Sequence, residues 1–196
     1  MLEPQWLEAL QRLWEEGERH DAVALERAHK NLFITPDTGR FLYQLVRSLR
    51  PARVLEVGTS AGYSTLWLAL ALRDRSASHL KSLDIDPARQ AQASANLARF
   101  GLAGRVSLLV TDAGPWLAAA QTNSLDFIFL DADRSRYVGY WPHLQRLLVP
   151  GGLLVMDNAL SHATECAEFV DAVIATKGYL AETYPIGKGQ FVIVKD

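Results

Sequence analysis

The stretch Arg53-Val-Leu-Glu-Val-Gly-Thr-Ser-Ala-Gly-Tyr-Ser-Thr65 constrains the fold more than any other. An apolar, β-branched run ends in glycines and opens into an apolar run from Tyr63 to Leu72. This pattern predicts a strand over 53–58, a tight turn, and a helix over 63–72. Glycine has no Cβ, so a ligand can approach the backbone of such a turn. The helix start adds free N–H groups and a positive dipole end. Asp84 follows the next strand-like run, Lys81 to Leu83. A carboxylate about 20 residues beyond a glycine turn commonly binds a ribose diol. A nucleoside-containing ligand is therefore expected.

The glycine spacing narrows the ligand. A dinucleotide turn needs three glycines. Here Gly58 and Gly62 are present, the third place is not glycine, and Glu56 precedes the turn. That carboxylate disfavours a pyrophosphate and suits a cationic ligand. Glu56-x-Gly58-x-x-x-Gly62 resembles the pattern of class I methyltransferases, which bind the sulfonium S-adenosylmethionine. The same turn, Gly58-Thr-Ser-Ala-Gly62, also fits the nucleophile elbow of serine hydrolases, with Ser60 as nucleophile and Asp131 and His162 later in the chain. Such an elbow normally follows several strands, and no glycine-rich oxyanion segment precedes it here. The hydrolase reading also leaves Glu56 and Asp84 without a role.

A chain of 196 residues with 49% hydrophobic residues suits one domain with a substantial core, here expected over 1–196 with residues 1–50 as a helical cover. The net charge of −2 gives no global basic field for nucleic acid. The one cysteine, Cys166, excludes an intrachain disulfide and fits a packing role and a cytoplasmic setting. Met1 to Trp6 lack the basic and apolar regions of a signal peptide. No apolar run approaches the ~18 residues of a membrane span.

Residues 4–30 read as an amphipathic helix carrying Trp6, Leu7, Leu10, Leu13 and Trp14; the two tryptophans are expected against the core. A second helix is expected over 36–49, with Thr35 as cap and Pro36 at its first position. Strands are then predicted at 53–58, 81–84, 106–110, 126–130 and 152–156. Helices are predicted at 63–72, 87–99, 114–121, 137–148 and 162–177. This alternation implies an α/β, Rossmann-like fold with helices on both faces of a mostly parallel sheet. Leu180 to Tyr184 and Gln190 to Lys195 flank a Pro-Ile-Gly-Lys-Gly turn and read as a closing antiparallel hairpin, giving seven strands.

Ligands of such sheets sit beyond the carboxyl ends of the strands. Those ends carry Glu56 and Gly58, then Asp84, Asp112-Ala113, Asp131-Ala-Asp133-Arg134, and Asp157-Asn158. Asp131, Asp157 and Asn158 are oxygen donors suited to Mg²⁺, Mn²⁺ or Ca²⁺. Singly, Asp and Asn at such places are capping and turn residues. Three at the ends of adjacent central strands point to a cation.

From about Leu32 to the C-terminus the chain resembles the metal-dependent O-methyltransferases related to caffeoyl-CoA and catechol O-methyltransferases. The resemblance rests on Ile34-Thr-Pro-Asp-Thr-Gly39, Leu55-Glu-Val-Gly-Thr-Ser-Ala-Gly-Tyr-Ser64, Asp126-Phe-Ile-Phe-Leu-Asp-Ala-Asp133 with Tyr137, Pro150-Gly-Gly152 and Asp157-Asn158. It implies a class I methyltransferase domain. Glu56 would face the methionine end of the cofactor; Gly58 and Ser64 would line it, and Ile34 would cover it. Asp84 would bind the ribose and the Ala113 backbone would approach the adenine. Asp131, Asp157 and Asn158 would hold the divalent ion, with Asp131 also near the cofactor amine. The ion would bind neighbouring oxygens of a phenolic acceptor. The resemblance and the two tryptophans also suggest a homodimer.

Two positions depart from the family pattern. Arg134 stands where the family usually has a lysine base; arginine stays protonated, so its catalytic part would be to hold an anionic oxygen. Lys188 stands where the family often has an acid. Beside small-molecule O-methylation, the sequence leaves open a tRNA hydroxyl-base methyltransferase and a cofactor-binding homologue with little turnover.

Overall fold

The structure is a computed structural model that describes residues 3–26 and 29–196. Helix α1 (Pro4–Val23) opens with proline, whose missing N–H costs nothing in a first turn. The apolar periodicity predicts helix to residue 30, but Ala24 is already extended. Asp21 is the physical reason. Its carboxylate accepts the amides of Asn31 at 2.6 Å and Leu32 at 2.8 Å, which folds the chain back along the helix end. Residues 27 and 28 of the expected helix lie outside the described residues. Trp6 stacks on Phe100 at 5.7 Å, and both Trp6 and Trp14 pack partly buried against the core.

Helix α2 (Pro36–Leu49) has the predicted bounds, with Thr35 in the capping position. Its hydroxyl pairs with that of Thr38 at 3.0 Å and caps no backbone amide. Gly39 lets α2 lie directly on α3 (Tyr63–Leu72): a Cβ there would stand 2.2 Å from the Trp67 indole nitrogen. Every residue of α3 is buried, in keeping with a sequence that is apolar all round apart from Ser64 and Thr65.

The sheet comprises β1 (Arg53–Val57), β2 (His79–Asp84), β3 (Val106–Val110), β4 (Leu125–Leu130), β5 (Leu148–Met156), β6 (Tyr179–Tyr184) and β7 (Gln190–Lys195). Their order is β3-β2-β1-β4-β5-β7-β6. The first five strands run parallel; β7 pairs antiparallel with β5 and with β6. The remaining helices are α4 (Pro87–Arg99), α5 (Ala113–Ala119), α6 (Tyr137–Leu147) and α7 (Ala163–Ile174). β5 begins before the glycines that suggested its start, because Leu148 pairs with Leu125 ahead of a register shift in β4.

Strand side chains alternate between two cores. Val54, Phe127, Phe129 and Val155 face α1, α2 and α3, whereas Leu55, Val57, Ile128, Leu130 and Met156 face α5, α6 and α7. Cys166 is buried in the second core. Among the described residues, no helix is long and apolar enough to cross a membrane.

Candidate active site

The chain winds outward from β1 in both directions, through β2 to β3 on one side and β4 to β5 on the other. A crevice opens at such a switch point, beyond the carboxyl ends of the strands. Here it is a cavity of about 800 Å³, the size of a small-molecule site. The sheet order sets its wall residues in a row: Asp112-Ala113 after β3, Asp84 at the end of β2, Gly58 after β1, Asp131 after β4, Asp157-Asn158 after β5. At about 4.8 Å between strands, that row stretches about 19 Å.

The glycine turn is built by close approach. Gly58 has φ +99°, and a Cβ there would fall 1.9 Å from the Asp131 carbonyl oxygen. Gly62 has φ +86° and caps α3, where a Cβ would meet Ala93 at 2.9 Å. Between them Ser60 takes a left-handed conformation, with φ 47°. Its amide donates to Asp84 Oδ2 at 2.8 Å, and the Asp86 amide donates to Asp84 Oδ1 at 3.0 Å. Asp84 thus holds the turn and still lines the cavity. The Ser60 hydroxyl donates to the Asn31 carbonyl at 2.6 Å, and His162 Nδ1 pairs with Ser161 Oγ at 2.9 Å. No nucleophile–base pair forms at Ser60, which removes the geometric basis of the hydrolase reading.

Glu56 is placed differently from the expectation that it faces a cofactor. It is fully buried, turned toward α3, and absent from the cavity lining. Ser64 Oγ donates to Oε1 and Thr65 Oγ1 to Oε2, each at 2.5 Å, and Ser82 Oγ donates to Oε2 as well. Burial raises its pKa to about 7, against the pull of those hydroxyls. The alternation of β1 explains the placement: Glu56 shares a face with Val54, while Leu55 and Val57 face the other core. Glu56 therefore reaches the cavity through Ser64, which lines it. Ile34 and Ala113 also line it, at 2% and 9% exposure.

The acidic half lies across the crevice. Asp131, part-buried on the cavity wall, has its carboxyl pushed well above the usual range by burial and then by the charge of Asp157. Asp157 is raised by its own burial, although Gln190 donates to its Oδ1 and Asn158 Nδ2 to its Oδ2 at 3.1 Å. Asn158 takes a left-handed φ of 71°, a conformation asparagine tolerates better than most residues. Its Oδ1 accepts from Arg134 Nη1 at 3.3 Å, and Arg134 Nε donates to Glu165 at 2.7 Å. Despite burial, that partner holds the guanidinium above its usual pKa. Tyr137 braces the loop after β4: its hydroxyl accepts the Ala132 amide at 2.6 Å and donates to the Ala132 carbonyl at 3.1 Å.

These donors suit a hard cation: a buried and a part-buried carboxylate, whose repulsion such an ion relieves, and an amide oxygen. The fit depends on Asn158, since no group of three His, Cys, Asp or Glu among the described residues is placed to hold a metal. All the sequence-predicted site residues except Glu56 line this one cavity. Gln190, which clamps Asp157, was missed. Its only signal is a polar residue opening a buried β7 strand, and nothing in sequence says what it meets.

A family model described as O-methyltransferase matches residues 11–177. The chain is 37% identical over 130 residues to a catechol O-methyltransferase of Niastella koreensis, covering 65% of this chain and 58% of that protein. It is 33% identical over 152 residues to a catechol O-methyltransferase of Mycobacterium tuberculosis, covering 78% and 66%. The chain thus spans roughly three fifths to two thirds of the length of these curated relatives. Among solved structures, a Bacillus cereus O-methyltransferase in complex with SAH superposes with TM-score 0.77 at 23% identity, covering 100% of this chain and 93% of that one. The O-methyltransferase TomG from Streptomyces achromogenes gives TM-score 0.78 at 24% identity, covering 96% and 89%. These two likenesses speak to the fold. The family match covers most of the chain, and the chain belongs to the O-methyltransferase family.

Proposed function

We propose that this chain transfers the methyl group of S-adenosylmethionine to a hydroxyl of a small, catechol-like or phenolic acceptor, with a divalent cation, Mg²⁺ first, held by Asp131, Asp157 and Asn158. The order of the strand ends carries this reading. It sets a ribose-type carboxylate and a glycine turn beside a pair of neighbouring acids within one cavity. The catechol O-methyltransferases among its relatives support the acceptor class.

S-adenosylmethionine supplies a methyl group on a sulfonium, open to in-line attack by an oxygen nucleophile. Asp84 would accept the ribose hydroxyls, Ala113 would offer its backbone to the adenine, and Gly58 with Ser64 would line the methionine portion under Ile34. Asp131, shared between the two halves, would face the cofactor amine and the ion. When bound, the divalent ion would lower the acceptor hydroxyl's pKa from about 10 and fix its direction. Holding the reactants in line is worth about 7–11 kcal/mol of barrier. Arg134 remains protonated and spends donors on Glu165 and Asn158. Its part is to position Asn158 and add positive charge at the acceptor mouth, not to remove a proton.

The test is a methyl-transfer screen over catechols, caffeoyl esters and tRNA, with Mg²⁺ and with excess EDTA. Catechol or caffeoyl methylation that chelation abolishes is expected. Undiminished activity in EDTA rejects the ion, methylation of tRNA alone reassigns the acceptor, and cofactor binding without transfer to any acceptor rejects the enzyme.

A further inference from the structure

Lys188 is the unexpected cation of the cavity wall. It sits on the β6–β7 turn, and that turn is fixed. The Lys188 carbonyl accepts the amides of Leu160 at 3.1 Å and Ser161 at 3.0 Å, and the Gly189 carbonyl accepts Ala159 at 3.0 Å. These bonds tie the turn to the segment that follows Asp157-Asn158. On its other side, the Gly187 amide donates to Asp37 at 3.0 Å. The two flanking glycines have φ +58° and +93°, and a Cβ on either would collide with Thr35 and Thr38 or with Leu160. The ammonium itself donates to the Phe33 carbonyl at 3.3 Å and, without an ion pair to either acid, lowers the carboxyl pKa of both Asp131 and Asp157 through space. Phe33 is in turn held by stacking on Tyr63 at 5.0 Å. A positive charge is therefore delivered by a rigid turn to the cavity that holds the acidic pair.

We propose that the Lys188 ammonium is a tethered, through-space counter-ion for Asp131 and Asp157, which offsets their charge from the cavity wall and weakens the binding of a divalent cation at their site. Its single positive charge repels an incoming divalent one without occupying the site, so metal loading is weakened but not prevented. The inference rests on the cation site proposed above.

Mn²⁺ binding to the purified chain, read by electron paramagnetic resonance of the free ion at fixed pH, separates the two. Lys188→Met and Lys188→Gln should bind Mn²⁺ at least about tenfold tighter than wild type, because a like charge near the site is removed. Lys188→Arg should stay close to wild type. Circular dichroism confirms that each variant is folded, and the two neutral side chains guard against failure of one. Adding Asp157→Asn to Lys188→Met should abolish the tight binding; its survival would put the ion elsewhere and overturn the inference. Equal or weaker affinity in both neutral variants, or tight binding by Lys188→Arg, overturns the tethered counter-ion and leaves the cation site standing. No Mn²⁺ binding at millimolar concentration in any variant overturns the cation site itself.

Discussion

At the scale of single residues, the site depends on carboxylates whose surroundings differ. Asp84 accepts two backbone amides, so its orientation is set before any ligand arrives. Asp84→Asn keeps the shape but removes the charge that a ribose hydroxyl would meet. S-adenosylmethionine should bind about 1.5–3 kcal/mol more weakly by calorimetry; unchanged affinity would mean that Asp84 serves the turn alone. Glu56 is the opposite case, a buried acid held by hydroxyls. Its pKa is raised by burial from 4.5 to about 7. The folded chain then keeps a proton that the unfolded chain releases. The corresponding stability is full below the unfolded pKa and is lost as pH rises through about 7. Glu56→Gln should flatten that loss in urea unfolding followed between about pH 5 and about pH 8. If the variant and the wild type lose stability in parallel over that range, Glu56 does not carry the dependence.

At the scale of elements, the turn after β1 and the loop after β4 form one construction. Gly58 leaves room for the Asp131 carbonyl, so glycine is required there for two reasons, the positive φ and the 1.9 Å approach. Gly58→Ala should cost about 2–4 kcal/mol in urea unfolding and weaken cofactor binding with it. Wild-type stability would show that the loop after β4 can shift without penalty. The alternation of apolar strands and helices made this architecture legible, because period two and period 3.6 survive in any sequence that buries both faces of a sheet. The acids at strand ends were legible for the same reason: a polar residue after an apolar run has to leave the core. Three features were hidden. The end of α1 depends on Asp21 reaching residues ten positions away. The depth of Glu56 depends on which face of β1 meets α3. Gln190 meets Asp157, and Lys188 reaches the same cavity wall, only because β7 pairs with β5, a contact of long sequence separation that no local pattern encodes.

At the scale of the whole molecule, the N-terminal elements both close the site and offer a surface. Asn31, Phe33 and Asp37 take bonds from Ser60, Lys188 and Gly187, so residues 31–33 and the first turn of α2 are fastened to the rim of the sheet. Outside that fastening, Val23 at the last position of α1 and Leu25 just beyond it stand 77% and 99% exposed. Large side chains so exposed next to an amphipathic helix suit burial against another chain. For two equal chains an isologous two-fold contact is the common arrangement. We therefore expect a homodimer that uses this N-terminal surface, with twice the chain mass by light scattering at micromolar concentration. Leu25→Asp should shift the mass toward the monomer, since a charge would be buried without a partner in the interface. It should leave the far-ultraviolet dichroism unchanged, because Leu25 lies outside both helices. A monomeric mass for the wild type would reject the dimer. A dimer indifferent to Leu25→Asp would place the contact on another face.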